Sequence, residues 1–134
     1  MATIKTILKL TPIHAVVKIS GTSATETIHL GSDLLWNNNS INGNQQEVAG
    51  TPVVNIMGMY WNVPSATLFA TVVRNSITIW NLQGQFNFDF RGWADSQQNT
   101  SDIVVTLPAT ESEVVIELLK VSGYGNTSHL NSLV

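Results

Sequence analysis

Between Gln85 and Arg91 the chain alternates strictly between polar residues and phenylalanine, as Gln85-Phe86-Asn87-Phe88-Asp89-Phe90-Arg91. Side chains of a β-strand point to opposite faces with a period of two. Phe86, Phe88 and Phe90 therefore share one face, and Gln85, Asn87, Asp89 and Arg91 share the other. A strand with one apolar and one polar side belongs to a half-buried antiparallel sheet. A slip of one residue would bury Asn87 and Asp89 in place of the phenylalanines, so the face is strongly specified.

The preceding segment, Ser76-Ile77-Thr78-Ile79-Trp80-Asn81, alternates in the same way. With Gln83-Gly84 as a two-residue turn, Ile79 would pair with Phe88 and Ile77 with Phe90. A four-residue loop, Asn81 to Gly84, slides the pairing by two and keeps the faces. Either way the hairpin over 76–91 commits Ile77, Ile79 and the phenylalanines to the core. Thr78 and Trp80 then fall on the polar face, with Asp89 opposite Thr78. Gly92 is expected at a bulge that turns Trp93 inward with Trp61 as a core residue.

The rest of the chain follows the same grammar. Thr3 to Leu10 is a first strand ended by Pro12. Residues 13–30 predict a second hairpin around Gly21-Thr22, setting Ala15 opposite Ile28 and His14 opposite His29. Its flaw is Glu26, which falls opposite Val17 on the apolar face and calls for an edge or interface position. Residues 31–50 are rich in Asn, Gln, Ser and Gly around Trp36 and read as a long polar loop. Val53 to Asn62 is a strand with a weak point at Gly58, ended by Pro64. Thr67 to Arg74 and Ile103 to Leu107 are further strands. In Ala109 to Gly123, Thr110 and Glu113 have capping-box spacing for a helix. The β-branched run Val114-Val115-Ile116 favours a strand with two apolar faces, hence a central strand or a subunit contact. The expected fold is all-β, an antiparallel β-sandwich or jelly-roll-like barrel of about eight or nine strands. Residues 1–12 are expected as an N-terminal strand and contact arm, 13–125 as the sandwich with its polar loop 31–50, and 126–134 as a flexible tail.

Only 11% of the residues are charged, against roughly 25% in an average soluble domain. Lys and Glu are the residues that interfaces exclude, so a surface poor in them suits a protein packed against neighbours; a neutral β-domain is the plain alternative. The formal net charge is −3 with no basic stripe, which argues against nucleic acid as a partner. There is no cysteine, hence no disulfide, thiolate metal site or cysteine nucleophile. No membrane span and no secretory leader are expected from the hydropathy of the chain.

Candidate chemistry is sparse. His14 and His29 would face one another, but a zinc site needs three or four ligands. Asp89 and Asp95 could act as a carboxylate pair for glycoside hydrolysis, although Asp89 and Arg91 make a simpler surface charge pair. Asp33 with Asn37, Asn39 and Asn42 has oxygen ligands without calcium-loop spacing. No catalytic residue, cofactor or metal site is expected. Exposed tryptophans anchor interfaces or stack on sugars, which singles out Trp36 and Trp80. With Ile41, Glu26 and Pro12 they form the expected interface set.

The segment Ile77 to Trp93 together with Leu118-Leu119-Lys120-Val121-Ser122-Gly123-Tyr124-Gly125 resembles small β-rich virion proteins of tailed phages, especially marine ones. The resemblance is one of style, and no functional residue is carried over from it. It implies a non-enzymatic capsid decoration or cement protein, made in the host cytoplasm and carried on the virion. The implied partners are further copies of the chain, with a trimer favoured, and the major capsid protein or other virion proteins. The alternatives are a carbohydrate-binding sandwich using Trp36, Trp80 or Tyr60, and last a small hydrolase using Asp89 and Asp95.

Overall fold

The computed structural model describes residues 4–36, 45–91 and 93–127. These form nine strands and, among the described residues, no helix: β1 (Ile4–Leu10), β2 (His14–Gly21), β3 (Thr25–Ile28), β4 (Gln45–Val63), β5 (Ala70–Arg74), β6 (Ile77–Leu82), β7 (Gly84–Asp89), β8 (Ile103–Thr106) and β9 (Ser112–Thr127). They make a five-stranded sheet in the order β1-β2-β9-β4-β7 and a four-stranded sheet in the order β3-β8-β5-β6. All pairings are antiparallel. The result is the expected β-sandwich.

The pairing has a simple rule. From the β5–β6 turn outward, β5 pairs with β6, β4 with β7, β3 with β8 and β2 with β9. The chain is thus one two-stranded ribbon folded over on itself. Its turn is Asn75-Ser76, with φ of 53° and 60° at the two residues. Positive φ at both central positions is what a tight antiparallel hairpin needs to match strand twist. Three further pairings, β1 with β2, β4 with β9 and β5 with β8, complete the sheets.

The core lies between the sheets. Val17 and Ile19 of β2, Val114, Ile116 and Leu118 of β9, and Val72, Ile103 and Val105 of the opposing sheet are all buried. β9 is a strand throughout, central between β2 and β4, which settles the segment 109–123 in favour of its β-branched run. Gly58 is the site of a register shift between Ile56 and Gly58. The bulge changes the parity of β4, so Val54 and Ile56 on one side and Met59 and Trp61 on the other all reach the core.

Both predicted long hairpins are absent. β2 is flanked by β1 and β9, so it has no free edge for β3, and the chain crosses at residues 21–25 to the other sheet. Likewise β6 and β7 lie in different sheets, joined through Gln83 and Gly84, where φ is +79°. The Trp61 indole N–H donates to the Gln83 carbonyl at 3.1 Å and anchors this crossing. Residues 45–50, expected as the end of a polar loop, begin β4, because Gln45, Gln46 and Glu47 pair with Thr127, Asn126 and Gly125. The same pairing draws residues 126 and 127, expected in the tail, into β9.

Near this pairing Gly123 adopts φ +83°, and a Cβ there would lie 2.1 Å from the Thr51 carbonyl oxygen. Only glycine tolerates such an approach of two backbones. Gly123→Ala is expected to lose about 2–4 kcal/mol through left-handed strain and overlap with backbone. A urea titration measures it, and an unchanged midpoint would show that the β4–β9 junction is not packed this way.

Candidate functional site

Two stacked open sheets leave two rims, and the chain closes them differently. At the first rim β1 faces β3. Lys5 pairs in register with buried Ile19 and so points between the sheets. Its ammonium donates to Asp33 Oδ2 at 2.7 Å and to the Thr27 carbonyl at 2.9 Å, and lies 3.6 Å from Glu26. Burial alone would raise the Asp33 carboxyl, but the Lys5 ammonium and the His29 backbone N–H outweigh it and hold its pKa below the ordinary value. Glu26 thus sits where an inward carboxylate is tolerated, on an edge strand with a cation opposite. Asp33 is committed to this cluster, while Asn37, Asn39 and Asn42 lie outside the described residues.

At the second rim β6 faces β7. Phe86 and Phe88 pair in register with Trp61 and Met59, both buried, so the phenylalanine face is the inner one, as expected. Burial does not follow. Phe86 is 62% exposed and Phe88 48%, and Ile77, expected in the core, is exposed as well. The reason is position: β7 and β6 are both edge strands, with a neighbour on one side only. Phe88 and Phe90 meet edge to face at 4.7 Å between ring centroids. Trp80 lies 6.0 Å from Phe88 and 5.8 Å from Phe90.

Trp80 is therefore not on a polar face. A bulge between Val72 and Val73 shifts the register of β6 against β5, and Trp80 pairs with buried Val72 and turns inward. Its indole N–H donates to Asp95 Oδ2 at 2.8 Å. Trp93, expected in the core, is 81% exposed. Its backbone N–H bonds to the Phe90 carbonyl, which places it beside the aromatic rim.

The expected interface set is divided between these places. Trp36 and Pro12 come together through Gln46, whose side-chain amide donates to the Pro12 carbonyl and whose Oε1 accepts the Trp36 backbone N–H. Glu26 and Trp80 lie on the two opposite edges of the four-stranded sheet. Ile41 lies outside the described residues. His14 pairs with Leu119, while His29 Nδ1 lies 3.3 Å from Asp102, so the two histidines do not face each other. Asp89 accepts the Arg91 backbone N–H and lines a shallow outer groove with Gly58, Tyr60 and Glu117. Asp95 accepts the Trp80 indole N–H and is not among the residues that line the groove beside Asp89. Among the described residues no three His, Asp or Glu side chains gather as a metal site.

Two buried cations escaped the sequence-based expectations. Arg74, at the end of β5, donates only to backbone carbonyls: Val54 at 2.7 Å, Asn99 at 3.1 Å and Ser101 at 2.8 and 3.0 Å. Burial lowers its pKa to about 10, against attraction from Asp95 and Asp102, and it remains charged at neutral pH. Lys120, on β9, donates to the Leu34 carbonyl and to Gln46 Oε1. Its ammonium lies 5.2 Å from the Tyr124 ring centroid. Both cations hold loop carbonyls against the sheets, Arg74 a strand carbonyl of β4 as well, and among the described residues neither contacts a carboxylate. Position was the available signal: Lys120 continues the parity of Val114, Ile116 and Leu118, and Arg74 that of Ala70 and Val72.

Burial pushes the Lys120 ammonium down to about 8, while the unfolded lysine keeps its ordinary 10.5. Between those values the unfolded chain binds more protons than the folded one, so stability rises with pH. Above about pH 10 Tyr124, pushed up to about 12 by burial, and Arg74, lowered to about 10 by burial, act with opposite sign and offset one another. Urea midpoints are expected to climb from about pH 7.5 to about pH 9.5 in the native chain and to stay flat in Lys120→Met. A flat native profile would contradict a buried ammonium here.

No protein-family model, curated protein or solved structure matches the chain.

Proposed function

We propose that the chain is a non-enzymatic structural protein of a virion, a decoration or cement protein on the outer surface of a phage head. The observation that carries this proposal is the way the ribbon is wrapped. Strands 2-9-4-7 in one sheet and 3-8-5-6 in the other follow from folding one two-stranded antiparallel ribbon, made of eight strands, over on itself, and we take this wrapping for a jelly roll. Jelly rolls serve in viral capsids and in lectins, among other roles. Fold alone is an analogy and does not name a function. The composition supports the virion side: few charges, and an aromatic rim left half open to solvent. The partners would be further copies of the chain and the major capsid protein.

A carbohydrate-binding module is the second proposal, and Trp93 is the observation that favours it. A tryptophan this exposed offers a flat stacking surface. Trp80 is a poor platform because its ring and its indole N–H are both engaged.

The two proposals separate cleanly by experiment. Mass spectrometry of density-gradient-purified particles of the encoding phage is expected to find the chain at a fixed ratio to the major capsid protein. Its absence from particles would overturn the virion assignment. A glycan array with the native chain and Trp93→Ala tests the alternative, for which binding to one sugar class should be lost by about tenfold or more in the variant.

A further inference from the structure

An open β-sandwich has four edge strands, here β1, β7, β3 and β6. Exposed edges invite pairing with another chain, and proteins blunt them with bulges, lysines, inward charges or short strands. Three of the four edges carry such a device. β1 has a register shift between Ile7 and Lys9, with Lys5 and Lys9 along it. β3 is four residues long with Glu26 inward. β6 is bulged against β5. β7 carries none of these. Its register against β4 runs without interruption from Val63↔Gly84 to Gly58↔Asp89, and it contains no proline and no lysine.

The free groups of β7 can be identified. The Phe90 N–H donates to the Met57 carbonyl on β4. Backbone groups alternate sides along an antiparallel strand, so Phe86 and Phe88 also direct their N–H and C=O toward β4. The N–H and C=O of Gln85, Asn87 and Asp89 then face away from the sheet and have no partner among the described residues.

We propose that β7 pairs with β7 of a second copy across a two-fold axis, joining two five-stranded sheets into one. The sequence of the strand selects the occupant. In an antiparallel pair, residues opposite each other share a face, and alternation of phenylalanine with polar residues makes β7 complementary to itself. Registers that set phenylalanine against Asn or Asp are excluded by the two faces. Centring on Asp89 opposes two like charges. Centring on Phe88 requires Arg91, which leaves the strand with φ 53° and gives its N–H to Asp89. Centring on Asn87 has neither defect. Asn87 then faces Asn87 of the second copy, Gln85 faces Asp89, and Phe86 faces Phe88. Each free N–H and C=O of Gln85, Asn87 and Asp89 gains a partner, and the open phenylalanine row of one copy continues into that of the other. The contact is isologous and closes as a dimer, unlike the trimer expected from the resemblance.

The chain has no cysteine, so one introduced thiol reports one position. In the proposed register the two Asn87 Cα atoms lie about 5.5 Å apart, within disulfide reach. Light scattering of the native chain is expected to give twice its 14.6 kDa mass. Under mild oxidation Asn87→Cys should cross-link to a covalent dimer, and Gln85→Cys should not. Asn87→Pro removes an outward N–H without touching the β4 ladder, so it should halve the mass and leave the circular dichroism unchanged. A native monomer up to about millimolar concentration, where contacts worth about −4 kcal/mol would show, overturns the proposal. So does a trimer, or a dimer that survives Asn87→Pro and is not linked by Asn87→Cys. The virion assignment stands or falls separately: a monomer in solution does not bear on particle content, and particles lacking the chain do not bear on the dimer.

Discussion

The two-residue turn at Asn75-Ser76 decides which strands can meet. Once it closes β5 on β6, the chain extends the ribbon by pairing strands in mirror order about the turn, β4 with β7, β3 with β8 and β2 with β9. Each later pair spans a longer loop, and the last, β2 with β9, joins residues about a hundred positions apart, which is entropically the slowest to close. Folding the ribbon over then brings β4 beside β9 and β5 beside β8, and the two sheets so completed bury their apolar faces against each other. Arg74 stands directly before the turn. Its planar fork of donors gathers carbonyls from β4 and from the segment before β8, binding the apex of the ribbon to the strands it must lie across.

The polar groups inside the sandwich follow from its connections. Chain segments that cross from sheet to sheet leave the ladder and expose carbonyls that need donors. Arg74 serves Asn99 and Ser101 on one crossing, and Lys120 serves Leu34 on another. A buried cation without a carboxylate is costly unless its donors are used, and here backbone oxygens use them. The Lys5, Glu26 and Asp33 cluster does equivalent work at the β1/β3 rim with a full ion pair. At the β6/β7 rim the closing groups are Trp80, Phe88 and Phe90, which seal the core side and leave Phe86 and part of Phe88 in water.

Strand positions were legible in the sequence wherever alternation was strict, and faces were legible where no bulge intervened. The phenylalanine strand turned its rings to the predicted face, Gly58 marked a real irregularity, and the β-branched run in β9 outweighed the capping-box spacing of Thr110 and Glu113. Pairing partners were not legible, because a short Gly-containing link serves equally as a hairpin turn or as a crossing between sheets. The two outcomes differ only in whether the preceding strand has a free edge, which depends on strands far away in sequence. One local clue did point the right way. The predicted 13–30 hairpin set Glu26 against Val17 in the core, and the actual fold avoids this by moving β3 to the other sheet, opposite Lys5. The inward turn of Trp80 was hidden for a related reason, since a bulge in β6 reverses parity without any glycine to announce it.

The placement of the basic residues makes the β7 edge stand out further. The chain has six Lys and Arg residues. Arg74 and Lys120 are buried, and Lys5, Lys9 and Lys18 lie on β1 and β2. Only Arg91 remains near the other rim, and it follows the strand without lying on it. Positive charge on an edge repels a second copy of the same edge, and it is concentrated where β1 would otherwise pair. The opposite edge combines free backbone groups, exposed phenylalanine and no lysine, a combination that promotes uncontrolled association unless something specific occupies it. A two-fold partner meets that requirement and stops there, because an isologous contact consumes the edge it uses and leaves no second one for growth.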